Sequence, residues 1–306
     1  MIEIIATAES IDQAKLLLTA GVDTLYIGEE TFGLRLPASF SREEQQVIID
    51  LAHDAGKQVM IAVNGIMHPD KMKLLPEYLD FLRKAAPDKL VVGDPGVIFM
   101  LQQKSIEIPF IYDGETMVTS SRQINFWAKK GASGAVLARE VPFEEMVAMS
   151  ENLQVPVEVL VYGASCIHQS KRPLLQNYYN YTKLGEEKSK ERGLFLSEPK
   201  KEETHYSIYE DSHGTHIFAD NDINMMNELS KLHEHGYRTW KLDGIYAPGE
   251  NFVEVSKLFV EAKAALEATS WSEEQAIAWS EQIQTLHPEN RALDTGFFHL
   301  DPKEIK

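Results

Sequence analysis

Short apolar runs recur along this chain at regular spacing, each followed by a segment of helical period. That alternation constrains the fold more than any other feature. The runs are Ile2–Ala6, Thr24–Gly28, Val59–Asn64, Leu90–Gly93, Phe110–Asp113, Ala135–Ala138 and Val157–Tyr162, with an eighth at Thr239–Asp243. Strands that alternate with helices pair in parallel, because each crossover returns the chain to the same end of the sheet. Local signals agree. Ser10 caps a helix over Ser10–Ala20 that Gly21 stops, and Ser41 with Glu44 three residues on forms a capping box for the next. Helices are also expected over Asn224–His235 and near Asn251–Ala268. Eight β-α units predict an α/β fold of the (β/α)8 TIM-like class rather than a doubly wound sheet.

Between the seventh and eighth strands lies a long insertion, Ser165–Asn221. Its middle, KLGEEKSKERG, is charged and reads as exposed. THYSIYEDSHGTHIFAD then alternates about a turn at Asp211–Gly214, the pattern of a β-hairpin. So long an insertion at the C-terminal end of a barrel strand is usually functional. The domain reading is a barrel over 1–270 that includes this insertion. The tail, 271–306, is a helix and an irregular segment, RALDTGFFHLDP, packed back on the barrel. At 306 residues with 43% hydrophobic content, the chain is long enough for one such core.

Charge and cysteine content narrow the function. There are 30 basic and 47 acidic residues, a net charge of −17, which offers nucleic acid no general attraction. One cysteine, Cys166, excludes an intramolecular disulfide and any metal site built from three or four cysteines of this chain. Glu3 and Glu9 break the apolar run a secretion signal needs, and no stretch approaches the roughly 20 apolar residues of a membrane span. The expectation is a soluble, cytoplasmic protein that does not engage a membrane.

In a barrel of this kind chemistry sits at the C-terminal strand ends. Here those ends supply Glu29, Arg35, Asn64, Asp94, Asp113, Glu115, Arg139, Glu140, Lys241 and Asp243. Arg35, Arg139 and Lys241, with Asn64 and Glu115, form a candidate substrate-binding set for a small carboxylic acid, since guanidinium forks hold carboxylates bidentately. The competing reading makes Arg139–Glu140 and Lys241–Asp243 local ion pairs of the rim. Cys166, two residues before His168, is a candidate nucleophile, and Asp243 a second candidate catalytic group. A buried structural cysteine is the commoner case. His213 and His216 fall on opposite faces of a strand, and residues two apart, as His233 and His235 are, do not share a helix face, so neither pair suits a metal. Tyr178, Tyr179 and Tyr181, beside Lys171 and Arg172, suit base stacking or, more often, packing and subunit contact.

EVLVYGASCIHQSKRPLLQNY (Glu158–Tyr178) is the most distinctive segment. It resembles the E-V-F-x-H-G-A-x-C-x-x-x-S-G-x-C-L-L-S-N-Y motif of the U32 "collagenase-like peptidase" family. AGVDTLYIGEETFGLR, VLARE, the stretch from Asp211 to Gly244 and RALDTGFF resemble further segments of that family, so the likeness covers most of the chain. Departures are as informative. The motif's first cysteine is Cys166, but its second falls on Pro173, and a further C-x-x-x-C pair expected near Lys183–Gly193 is absent. Tyr162 stands for the family's His, Asp243 for the Glu of K-I-E-G-R, and Ile245 for its Arg.

The resemblance implies proteins of oxygen-independent hydroxylation, of ubiquinone, ribosomal RNA or the tRNA wobble uridine, the last with prephenate. Relatives hold a [4Fe–4S] cluster on four cysteines, so the resemblance implies that this chain carries no such cofactor. Some members work as pairs. A short, cysteine-poor member resembles the accessory half of the firmicute pairs that form tRNA 5-hydroxyuridine. Its expected partner is a four-cysteine U32 paralogue carrying the cluster, with tRNA met through the complex. A peptidase using Cys166 or an acidic pair, and a small-molecule-binding barrel without turnover, are the alternatives. No protease constellation is apparent in the sequence.

Overall fold

The computed structural model describes residues 1–185 and 187–303. In chain order its strands are β1 (Glu3–Thr7), β2 (Thr24–Gly28), β3 (Gln58–Val63), β4 (Lys89–Val92), β5 (Phe110–Tyr112), β6 (Ala132–Val136), β7 (Val157–Gly163), β8 (Cys166–Ser170), β9 (Phe195–Glu198), β10 (Lys201–Asp211), β11 (Gly214–Phe218), β12 (Asn221–Asn224), β13 (Thr239–Leu242) and β14 (Ala292–Asp294). The helices are α1 (Ile11–Ala20), α2 (Arg42–Asp54), α3 (Pro69–Ala85), α4 (Pro95–Gln103), α5 (Ser121–Ala128), α6 (Phe143–Ser150), α7 (Leu174–Thr182), α8 (Leu229–Glu234), α9 (Glu250–Glu267) and α10 (Glu273–Leu286).

β1 to β7 and β13 form a closed, all-parallel barrel. Closure is made at β13, whose Thr239 aligns with Glu3 of β1 on one side and Glu158 of β7 on the other. The two-residue period of the strands sorts their side chains. Ile4 and Ala6 face the helices, while Ile5 faces inward with Tyr26, Met60, Ala62, Val91 and Ile111. The outer layer is dry, with Leu25, Ile61, Val92 and Trp240 fully buried. Burying such a side chain contributes about 1.5–3 kcal/mol. The expected caps are present: the Ser10 hydroxyl accepts from the Gln13 N–H, and Ser41 and Glu44 bond reciprocally.

The insertion is more than a hairpin. β10 and β11 pair antiparallel as expected, but β8 and β9 extend them to a four-stranded sheet in the order β8-β11-β10-β9. Cys166 therefore opens a strand. One face of the sheet packs Leu175 and Tyr179 of α7 on Ile208. The other sets Cys166, Tyr209 and Phe218 against Ile245, in the loop after β13.

Two expectations need correction. The helix expected over Asn224–His235 is the shorter α8, because Asn224 belongs to β12, which pairs antiparallel with the end of β7. The segment read as irregular contains β14, which runs parallel to β12. Both strands are short and carry no apolar alternation of their own, so their neighbours make them strands. The tail packs back on the barrel through Phe298, stacked on Phe143. Arg291 makes a bidentate pair with buried Asp222 and reaches the Ala219 carbonyl, tying β14 to the insertion's return.

Candidate functional site

The C-terminal ends of the barrel strands converge under the insertion sheet on a small cavity of about 40 Å3. Arg35, Asn64, Glu115, Arg139, Lys241, Cys166 and Asp243 all line it, with Asp113, Glu140 and Tyr26. Of the strand-end residues read as candidates, two lie elsewhere. Asp94 caps α4 and accepts from the Met67 N–H, and Glu29 lies against Arg42.

The site begins with two left-handed residues. Arg35 (φ 52°) and Glu115 (φ 55°) hold backbone conformations that L side chains rarely adopt, and such residues concentrate at functional sites. Their side chains meet in an ion pair inside the cavity, and Arg35 also donates to Gln169 of β8 at 3.0 Å. Burial works against both charges. Glu115, and behind it Asp113, nevertheless hold Arg35 above its ordinary value, while Arg35 and Arg139 hold Glu115 below the usual carboxylate range. Asp113 goes the other way. Burial and the neighbouring Glu115 push its carboxyl up, against the hydrogen bond from Asn64.

Which candidates are free for a ligand is decided by these bonds. Asn64 is committed at both ends of its amide, accepting from the Leu34 N–H at 2.9 Å and donating to Asp113 at 2.8 Å. Its place is to hold the loop after β2 against β5. Glu115 is committed to Arg35. Lys241 is held loosely, 4.0 Å from Glu158 and 3.9 Å from Asp243, with its ammonium 3.8 Å above the Tyr26 ring. Glu158 is fully buried beneath it, and burial pushes its carboxyl up to about 7 against the pull of Lys241. Arg139 makes no ion pair or hydrogen bond among the described residues, and no Arg139–Glu140 pair forms. Arg139 and Lys241 are thus the cations of this cavity not held in a close ion pair.

Cys166 is buried at the same cavity, but its neighbour is not the expected one. His168 is exposed, and only its backbone carbonyl meets the thiol, at 3.4 Å. The imidazole beside the sulfur is that of His216 on β11, completely buried and stacked 4.8 Å from the Tyr209 ring. Its Nε2 lies 2.9 Å from Asp211, and its Nδ1 is buried with no hydrogen-bond partner. Asp211 is held below its usual range, burial being outweighed by His216. Residues 209, 211, 216 and 218 share one face by strand alternation, so a sequence reading that fixed the hairpin register would have grouped them.

His213 does not face His216. It sits in the hairpin turn, where Nε2 lies 2.6 Å from the Glu30 carbonyl and Nδ1 is 3.1 Å from Lys71. Burial, then Lys71, depress its pKa to about 4, so it is neutral at pH 7. Burial likewise lowers Lys71, to about 8. Gly65 lies directly under the ring, where an added Cβ would meet His213 at 2.6 Å. This contact clasps the hairpin to the barrel mouth. The three tyrosines also separate: Tyr179 is 5% exposed in the core of the insertion, while Tyr178 and Tyr181 are 56% and 87% exposed.

An iron–sulfur cluster held on four cysteines does not fit these residues. Cys166 turns its sulfur to His216 and the His168 carbonyl, and Pro173 lies exposed at the start of α7. No group of three or more His, Cys, Asp or Glu among the described residues is arranged to hold a metal ion. No helix of these residues is long and apolar enough to cross a membrane.

Comparison with known proteins follows the same line. The profile of peptidase family U32 matches residues 9–306. The chain is 38% identical over 300 residues to tRNA hydroxylation protein P2 of Bacillus subtilis (strain 168), covering 97% of each. It is 28% identical over 177 residues to tRNA hydroxylation protein P1 of the same organism, covering 58% of this chain and 42% of that one. It is 24% identical to tRNA hydroxylation protein P of Escherichia coli (strain K12), covering 79% of this chain and 63% of that one.

Proposed function

This chain belongs to peptidase family U32, and from that premise we propose that it is an accessory subunit in hydroxylation of the tRNA wobble uridine. The observation that carries this is identity along the whole length of a relative named for tRNA hydroxylation, 97% of each chain. Its partner, in this reading, is a four-cysteine U32 paralogue that holds a [4Fe–4S] cluster, while this chain holds no cofactor. That the same Bacillus relative's organism has both a P1 and a P2 protein supports a pair of unlike members. The surface, with its net charge of −17, leaves tRNA contact to the complex.

The cavity has the chemistry of a small-acid site. Among the described residues Arg139 makes no ion pair and Lys241 is loosely held, and a carboxylate such as that of prephenate satisfies both. The peptidase reading has less behind it: the insertion sheet lies over the barrel mouth, leaving a polar cavity of only about 40 Å3 where an extended peptide needs a long open cleft. Anaerobic co-expression with a four-cysteine paralogue tests the pairing. A stable complex that carries iron and sulfide is expected. Failure of the two chains to associate, with both soundly folded, would remove the accessory role.

A further inference from the structure

In relatives of this sequence a cysteine at this position is expected to ligate a cluster; here it sits in other company. We propose that Cys166, His216 and Asp211 form a nucleophilic relay beneath the insertion sheet, presenting a thiolate to small carboxylic acids that carry an electrophilic carbonyl. The geometry is ordered from β10 to β8. Asp211 accepts from His216 Nε2 at 2.9 Å and fixes the ring. That leaves Nδ1 buried and without a hydrogen-bond partner among the described residues, on the sheet face where Tyr209 and Phe218 pack with Cys166. A wholly buried imidazole held in this way is the arrangement that activates a thiol. The sulfur in turn opens on the cavity that Arg139 lines.

The charges around the thiol agree with this geometry. Burial alone would raise the Cys166 pKa, but His216, then Arg35 and Arg139, lower it overall against Glu115. Burial would lower His216, and Asp211 and Cys166 raise it, so thiolate and imidazolium stabilise one another. Asp211 and His216 also feel His213 in the hairpin turn, and Asp211 feels Lys71 of α3; the phenols nearby are Tyr209 on β10 and Tyr246 after β13. Burial keeps both phenols protonated and neutral, raising Tyr209 well above its ordinary value and Tyr246 likewise.

On a carbonyl substrate the sulfur–carbon bond forms, the carbonyl π pair moves to oxygen, and the imidazolium proton follows it. The product is a thiohemiacetal or thiohemiketal, and no oxidant or reductant is consumed. Only the choice of an acid as substrate rests on the anion-binding reading of the cavity; the activated thiol stands on its own geometry.

Because Cys166 is the single cysteine, one carbamidomethyl adduct from iodoacetamide, or one carboxymethyl adduct from iodoacetate, reports this site alone by mass. The test is the rate of alkylation against pH, with iodoacetamide and with iodoacetate, on the native chain and on the same chain in denaturant. In each case a sulfur–carbon bond forms and iodide leaves. The native thiol should react with iodoacetamide several-fold faster than the denatured one at pH 6.5, with its rate midpoint at lower pH. His216→Gln should move that midpoint upward. Asp211→Asn, which preserves shape if the buried His216 change disturbs folding, should do so by a smaller step. A native midpoint equal to the denatured one, or one that both variants leave in place, overturns the relay. A preference for iodoacetate that Arg139→Gln abolishes supports the anion site. Equal rates for the two reagents with an acid-shifted midpoint retained would refute the anion site while the relay stands.

Discussion

At the residue scale, two buried charged pairs with opposite balances lead to measurable differences. Arg291 and Asp222 are both almost wholly buried and joined by a bidentate pair, with the Ala219 carbonyl taking a further N–H. Removing one partner strands the other charge, so Arg291→Ala is expected to cost about 3–5 kcal/mol in urea denaturation. A loss under 1 kcal/mol would mean that Asp222 finds water or another donor. Glu158 is the reverse case. Its folded value of about 7 lies above the ordinary 4.5, so the native state keeps a proton the unfolded chain has released. Stability therefore falls as pH rises through that window and is level above it. Glu158→Gln removes this component. Relative to wild type the variant should gain up to about 3 kcal/mol between pH 4.5 and 8. A difference between the two that does not vary with pH would show Glu158 ionised throughout.

At the scale of elements, the insertion is held down by its turn and is free along α7. His213 is neutral when docked, with a folded value of about 4 against an ordinary 6.5. Its contribution is complete above pH 6.5 and erodes as pH falls toward 4, because the unfolded or undocked ring takes a proton that the docked ring resists. Hydrogen exchange over 206–218 should show protection lost across that window in the native chain and absent at both ends in His213→Ala. Protection in the native chain that is unchanged from pH 7 to 4.5 would place the docking elsewhere. Tyr178 and Tyr181 are exposed while Tyr179 is core, so a contact with a second subunit falls to the first two. Tyr178→Ser with Tyr181→Ser should weaken association with a four-cysteine U32 partner with circular dichroism unchanged. Tyr179→Ser should instead loosen the insertion, through the cavity left against Leu175 and Ile208.

The same elements show why some of the molecule was legible in sequence and some was not. The barrel strands are apolar on both faces, and helices with identifiable caps separate them, so their order could be read directly. β8 (CIHQS), β12 (NDIN) and β14 (ALD) carry no apolar pattern of their own and exist because a neighbouring strand pairs with them. The site divides in the same way. That Arg35, Arg139 and Lys241 share a cavity followed from their places at strand ends. That Asn64 is used up by Leu34 and Asp113, or that His216 rather than His168 lies near Cys166, depends on contacts across about 30 to 50 residues. Local spacing could not supply these.

At the scale of the whole molecule, the described residues form a closed barrel with the insertion sheet over its mouth and one thiol at the cavity beneath. Isolated under anaerobic conditions it should be colourless, without the visible absorbance of iron–sulfur centres, because Pro173 offers no second thiolate. Stoichiometric iron and sulfide in the chain alone would contradict that. The central claim concerns tRNA, and nucleoside mass spectrometry of total tRNA tests it most directly. In cells lacking this chain but retaining the U32 paralogue proposed as its partner, 5-hydroxyuridine at the wobble position should fall several-fold. The native chain should restore it, and Arg139→Gln should not. Wild-type levels of 5-hydroxyuridine in the absence of this chain would contradict the accessory role.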